Sequence, residues 1–161
     1  EEWTTMAPMA TARFCFAAIL KDGYIYVFGG LNSVDGSLSS TERYCIANNT
    51  WEELADMPPE ADRGRHCVIS TTGSEIYIVG GDTCSVDVFD TATLTWKTPT
   101  YLRDMPEVRN YAAAVMVKKK YLVLIGGGAS EEGTLTGASL IYDIWCNCWS
   151  STPASMDIIE A

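Results

Sequence analysis

Apolar residues along this chain come in short runs, not at helical spacing. Tyr24-Ile25-Tyr26-Val27-Phe28 precedes Gly29-Gly30, Ile76-Tyr77-Ile78-Val79 precedes Gly80-Gly81, and Tyr121-Leu122-Val123-Leu124-Ile125 precedes Gly126-Gly127. Each run is β-branched and aromatic, too short for a helix, and stopped by a diglycine. This predicts a strand buried on both faces, ended where the backbone turns sharply or approaches a neighbour closely. Gly29, Gly80 and Gly126 stand 51 and 46 residues apart, so the pattern is a repeat.

Other features recur with the glycines. Each block opens with Met, Pro and Arg: Met6/Pro8/Arg13, Met57/Pro58/Arg63 and Met105/Pro106/Arg109. A small-apolar strand follows each Arg, predicted at Phe16 to Leu20, His66 to Ser70 and Ala112 to Val117. Turns come next, at Asp22-Gly23, Thr72-Gly73-Ser74 and Lys118-Lys119-Lys120; Asp-Gly is a strong hairpin signal, whereas the lysine turn rests on the repeat. Beyond the diglycine lies a loop of variable length, long at Leu31 to Ser40 and Gly128 to Ala138 but short at Asp82 to Ser85. A third strand then ends in an aromatic seven residues before a Trp, as Tyr44/Trp51, Phe89/Trp96 and Tyr142/Trp149, and the Trp marks a fourth strand. No stretch sustains the 3.6-residue period, so almost no helix is expected.

Four-stranded antiparallel units of about 50 residues, with diglycine and Trp at fixed offsets, resemble kelch repeats, the blades of a β-propeller. The resemblance covers nearly the whole chain and rests on Arg, diglycine, aromatic and Trp recurring together; Cys45 departs from it, standing where the other blocks have Asp90 and Asp143. It implies an all-β fold of three four-stranded sheets, a partial propeller in which the first strand lies nearest the axis and the Trp strand outermost. The expected division is an outer strand of a preceding blade over 1–8, blades over 9–56, 57–101 and 102–155, and a tail over 156–161. Propellers close with about 4 to 8 blades. Three blades leave two apolar faces bare, a cost on the order of 10 kcal/mol per face. The chain is therefore expected to be part of a longer propeller, or to pair with a second copy that completes a ring.

Composition narrows the partners. Of the 161 residues, 47% are hydrophobic and 20% charged, a globular composition. The net charge of −10 repels nucleic acid and anionic lipid, and no apolar run is long enough to cross a bilayer, so neither nucleic-acid binding nor membrane insertion is expected. Glu1-Glu2-Trp3 does not read as a signal peptide, and a cytoplasmic setting is expected. The six cysteines, Cys15, Cys45, Cys67, Cys84, Cys146 and Cys148, are expected to be reduced, buried small hydrophobes.

The order of strands carries the loops after each diglycine and the Met/Pro/Arg segments to one mouth of the sheet array. Candidate partner-binding residues there are Arg13, Asn32, Asp35, Arg63, Arg65, Asp82, Arg109, Glu131 and Glu132. Kelch proteins that this chain resembles grip peptide segments with such loops. The competing expectation for the repeated Arg13, Arg63 and Arg109 is architectural, each pairing within its own or the next blade. Gly29, Gly30, Gly80, Gly81, Gly126, Gly127, Trp51, Trp96 and Trp149 are expected to be structural.

Catalytic material is sparse. His66 is the only histidine and lies on a strand, which favours a packed side chain over a ligand. Copper-oxidase propellers with this repeat need more than one His. Iron-dependent specifier proteins use Glu, Asp and His at four-residue steps; here Asp62 and His66 fit but Pro58 occupies the Glu place. Cys146 and Cys148 alone fall short of a zinc set. No cofactor, metal or catalytic residue is expected. The expected function is a non-enzymatic protein–protein interaction or assembly module that works through loops on one mouth. A sugar epimerase or mutarotase, or an iron-dependent specifier-like protein, is the alternative.

Overall fold

The computed structural model describes residues 2–59, 61, 63–97, 102–128 and 135–152. Two compact units emerge, Glu1–Gly64 and Arg65–Ala161. Every regular element among the described residues is a strand.

The first unit holds one four-stranded antiparallel sheet, in the order β1 (Ala17–Lys21), β2 (Tyr24–Phe28), β5 (Thr41–Cys45) and β6 (Thr50–Leu54). A small hairpin of β3 (Leu31–Asn32) and β4 (Gly36–Ser37) rises from the loop after the diglycine. Asp22 and Gly23, at φ 50° and 82°, make the tight β1–β2 turn that Asp-Gly favours. Tyr26, Val27 and Phe28 are all buried, as expected of a strand covered on both faces.

The second unit holds two such sheets. One is β7 (His66–Ser70), β8 (Glu75–Gly80), β9 (Val86–Asp90) and β10 (Thr95–Lys97); the other is β11 (Ala113–Val117), β12 (Tyr121–Ile125), β13 (Ser139–Asp143) and β14 (Cys148–Ser151). Their shared core sets Ile69, Tyr77, Val79 and Val88 of one sheet against Leu122, Leu124, Leu140 and Tyr142 of the next. These are propeller blades stacked face to face. In all three sheets the aromatic and the Trp are direct cross-strand partners, with ring centroids 5.2, 5.2 and 4.9 Å apart. Such aromatic pairs stabilise a sheet by about 0.5–1.5 kcal/mol beyond the area they bury.

Several expectations need correction. The first strand begins at Ala17, because Phe14 instead bridges to Leu31. Residues 2–8 carry no strand; Ala7 is instead held by Trp51 and Asn49 of the first blade. β12 is not buried on both faces: Leu122 and Leu124 are enclosed, whereas Ile125 is exposed on the opposite face. Cys146 and Cys148 form a disulfide, and the other four cysteines, Cys15, Cys45, Cys67 and Cys84, are only half-buried. The expected tail and parts of the long third-blade loop lie outside the described residues.

The lysine turn carries strain. Lys118 and Lys119 sit at φ 52° and 56°, a left-handed conformation that costs a side-chain-bearing residue about 1–2 kcal/mol. Lys119→Gly relieves it at the cost of some unfolded-state entropy, so the expected net gain is up to about 1 kcal/mol, or roughly 2–4 °C in Tm. Thermal unfolding followed by circular dichroism measures this; a fall in Tm contradicts it.

Candidate functional site

The segments that open the second and third blocks are each stitched to the sheet before them. In the first unit Gly30 N–H donates to Arg63 C=O at 2.9 Å and Met57 N–H donates to Ser39 C=O at 2.9 Å. In the second, Gly81 N–H donates to Arg109 C=O at 2.9 Å and Met105 N–H donates to Cys84 C=O at 2.8 Å. The diglycine is required by lack of space: a Cβ on Gly80 would lie 2.4 Å from Arg109 O, and one on Gly30 would lie 2.9 Å from Phe14 O.

Arg13 and Arg109 each reach into their own blade. Arg13 donates to Gly29 O at 2.6 Å, Ser40 O at 3.0 Å, Ser40 Oγ at 3.0 Å and Glu42 Oε1 at 2.5 Å. Arg109 donates to Gly126 O at 3.1 Å and Ala138 O at 3.3 Å. Arg63 is fully buried and donates from Nε to Ala61 O at 3.0 Å. A buried guanidinium needs a counter-charge. In the first blade Glu42 supplies it and also accepts from Ala10 N and Thr11 N. The third blade has Leu140 at the matching position, and Glu107 takes the role, hydrogen-bonded to Arg109 Nη2.

The indoles fasten the other end. Trp51 Nε1 donates to Ala7 O at 2.8 Å and Trp149 Nε1 donates to Arg103 O at 2.9 Å. Asn49 and Asn147 accept from the N–H of those same two residues, at 2.8 and 2.9 Å. Trp96 sits in β10 opposite Phe89.

With Arg13, Arg63 and Arg109 enclosed, the accessible candidates fall into two sets, one per unit. In the second unit Arg65 Nη1 donates to both oxygens of Asp82, at 3.0 and 3.1 Å, and Arg65 Nε donates to Tyr111 Oη at 3.0 Å. The guanidinium also lies 5.9 Å from the Tyr111 ring centroid, and Asn110 Nδ2 donates to Asp82 Oδ1 at 3.3 Å. The hydrogen bond to Tyr111, then that to Asp82, holds the Arg65 pKa above its ordinary value. Cys15, Arg65 and Tyr111 each follow a block arginine by two residues, and all three are left-handed, at φ 51°, 60° and 57°. That bend separates the buried arginine from the first strand. In the second unit it leaves Tyr111 67% exposed beside Arg65.

In the first unit Asn32 Oδ1 accepts from Val34 N and Asp35 N, and Asn32 Nδ2 donates to Asp35 Oδ2 at 2.8 Å. Asn32 thus shapes the hairpin turn, while Val34 at its tip is exposed. Phe14, paired to Leu31 through two backbone hydrogen bonds, is also exposed. Glu131 and Glu132 lie outside the described residues, as does Asp62. His66 is buried at the start of β7, opposite Gly80. Among the described residues no three His, Cys, Asp or Glu side chains gather as a metal site would require. Tyr111, Asn110 and Phe14 escaped the sequence reading, because a left-handed bend at a non-glycine residue leaves no compositional mark.

The KLHDC2/KLHL20/DRC7 Kelch-repeats domain model matches residues 1–161. This chain belongs to the kelch-repeat family. It is 30% identical over 159 residues to beta-scruin of Limulus polyphemus, a match that spans 90% of this chain and 16% of that protein. It is 40% identical over 80 residues to kelch-like protein 40 of Mus musculus, covering 50% of this chain and 12% of the relative. The solved structure of YjhT superposes with a TM-score of 0.76 at 21% identity, over 94% of this chain and 55% of that one, and so shares the kelch propeller fold. The chain spans a small part of the length of the curated relatives it matches.

The buried kelch arginine is expected to carry more stability than any exposed charge. Arg13→Met should destabilise the first unit by about 3–5 kcal/mol, because Glu42 is left buried and unpaired. Adding Glu42→Leu should recover part of that loss. Urea denaturation measures both; a loss below about 1 kcal/mol in the single variant contradicts the assignment.

Proposed function

We propose that this chain is a non-enzymatic kelch interaction module of the cytoplasm. In the second unit it binds a polar segment of a protein partner through Arg65, Tyr111 and Asp82. The observation that carries the reading is a charged fork and an exposed phenol, both set on left-handed residues directly after a buried anchor. Such a backbone loses little freedom on binding, so contact energy is not spent on ordering the site. Arg65 donates through Nε and Nη1, and Nη2 meets no acceptor among the described residues. A partner carboxylate or backbone carbonyl fits that donor. In the first unit the tip of the β3–β4 hairpin, with Val34 and Asp35, is a separate contact. The 128–138 loop with Glu131 and Glu132 joins this role on its sequence pattern alone.

The kelch family match supports a protein partner. Exchanging the exposed pair tests it. Arg65→Glu with Tyr111→Ala should reduce recovery of partners in quantitative pull-down at least tenfold. The same pair should leave Tm within about 2 °C, since exposed ion pairs contribute about 0–1 kcal/mol. Unchanged recovery with intact folding contradicts the reading.

The outer face of the third blade is proposed to receive a further kelch blade. Its positions match those of the second blade that face the core. Ile69 and Val79 are 4% and 0% exposed, yet their counterparts Val115 and Ile125 are 46% and 43% exposed. Val117, Tyr121, Val123 and Ile141 border a largely apolar hollow of about 330 Å³ on this blade. In isolation the 161-residue chain should bind a hydrophobic dye or self-associate, and Val115→Lys with Ile125→Lys should suppress both. Light scattering that shows a dye-silent monomer contradicts this.

A further inference from the structure

We propose that Cys146 and Cys148 form a reversible dithiol–disulfide site on the outer turn of the third blade, one that exchanges with low-molecular-weight thiols. The pair is bonded, and both residues are exposed, unlike the four half-buried cysteines elsewhere.

The turn does not need the bond. Its backbone is held by Asp143 Oδ1, which accepts from Trp145 N at 2.9 Å and Cys146 N at 3.2 Å. Asn147, left-handed at φ 50°, accepts from Tyr142 Oη at 2.6 Å and Arg103 N at 2.9 Å. The first blade makes the same turn around Asn49, at φ 54°, with Tyr44 Oη donating to it at 2.8 Å. There the two flanking positions are Asn48 and Thr50, and no covalent link exists. The second blade makes it around Leu94, at φ 58°, with Thr93 and Thr95 in the flanking positions. Their hydroxyls lie 2.8 Å apart and hydrogen-bond across the turn.

The second and third blades therefore each bring two short side chains together at this place. Only in the third blade are they thiols. A link between residues two apart closes a very small loop, so it removes little unfolded-state entropy and adds little as a staple. What it adds is chemistry. The thiolate of a small thiol attacks one exposed sulfur, forms a mixed disulfide and releases the other cysteine as a thiolate. A second thiol then resolves the mixed disulfide. Two thiols are oxidised to one small-molecule disulfide, and two electrons and two protons pass to Cys146 and Cys148. Excess small-molecule disulfide drives the reverse. The backbone contacts of Asn147 and Asp143 stay in place in both states.

The test is equilibration of the whole 161-residue protein in glutathione buffers that run from fully oxidised to fully reduced. Acid quenching, alkylation and peptide mass spectrometry follow. The doubly alkylated 146–148 peptide is expected to rise cooperatively with the reduced fraction, while Tm at the two extremes agrees within about 2 °C. Cys146→Thr with Cys148→Thr, which copies the second blade, should also retain the wild-type Tm. Three results would overturn the proposal. The pair could stay oxidised until denaturant is added, it could never oxidise under excess glutathione disulfide, or reduction and the double threonine variant could each lower Tm by more than about 5 °C, marking a structural staple.

Discussion

The structure depends on a backbone contact that tolerates no side chain. At the end of the second strand, the second glycine of the pair donates its N–H to the carbonyl of the arginine that opens the following block, Gly30 to Arg63 and Gly81 to Arg109. The first glycine lies so close to that carbonyl that any Cβ would overlap it, at 2.5 Å for Gly29 and 2.4 Å for Gly80. A sheet alone would leave these groups to solvent at its edge. The stitch satisfies them and fixes where the next segment starts.

The arginine side chain extends that constraint into its own sheet. Its guanidinium covers the carbonyl of the first glycine and the entrance to the third strand, in Arg13 with Gly29 and Ser40, and in Arg109 with Gly126 and Ala138. Charge neutrality is required, but the residue that provides it is not fixed: Glu42 serves in one blade and Glu107 in another. Two residues on, the left-handed bend releases the chain to the surface. In the second unit this leaves Tyr111 at the surface beside Arg65, two residues beyond the buried Arg109.

Much of this was legible in the residues. Three aligned diglycines and trailing indoles were enough for three four-stranded sheets, because strand period and glycine punctuation are local properties. Architectural pairing of the arginines followed from their presence in every block. The accessible site was less visible. Asn32 folds its own turn, a role its place in the loop did not signal, while Tyr111 gave no signal, because its exposure follows from the backbone angle and not from its identity. The state of Cys146 and Cys148 was missed for a similar reason: their chemistry depends on a turn that the other two blades build from threonine and asparagine.

Amide hydrogen exchange at Gly30 and Gly81, measured by NMR under native conditions, tests the stitch most directly. If these N–H groups close onto the arginine carbonyls as a permanent part of the fold, they should exchange as slowly as Ile78 in the centre of β8, orders of magnitude slower than turn amides such as Gly73. Exchange of Gly30 and Gly81 at the rate of Gly73 would mean that the segments open freely, and would contradict the account.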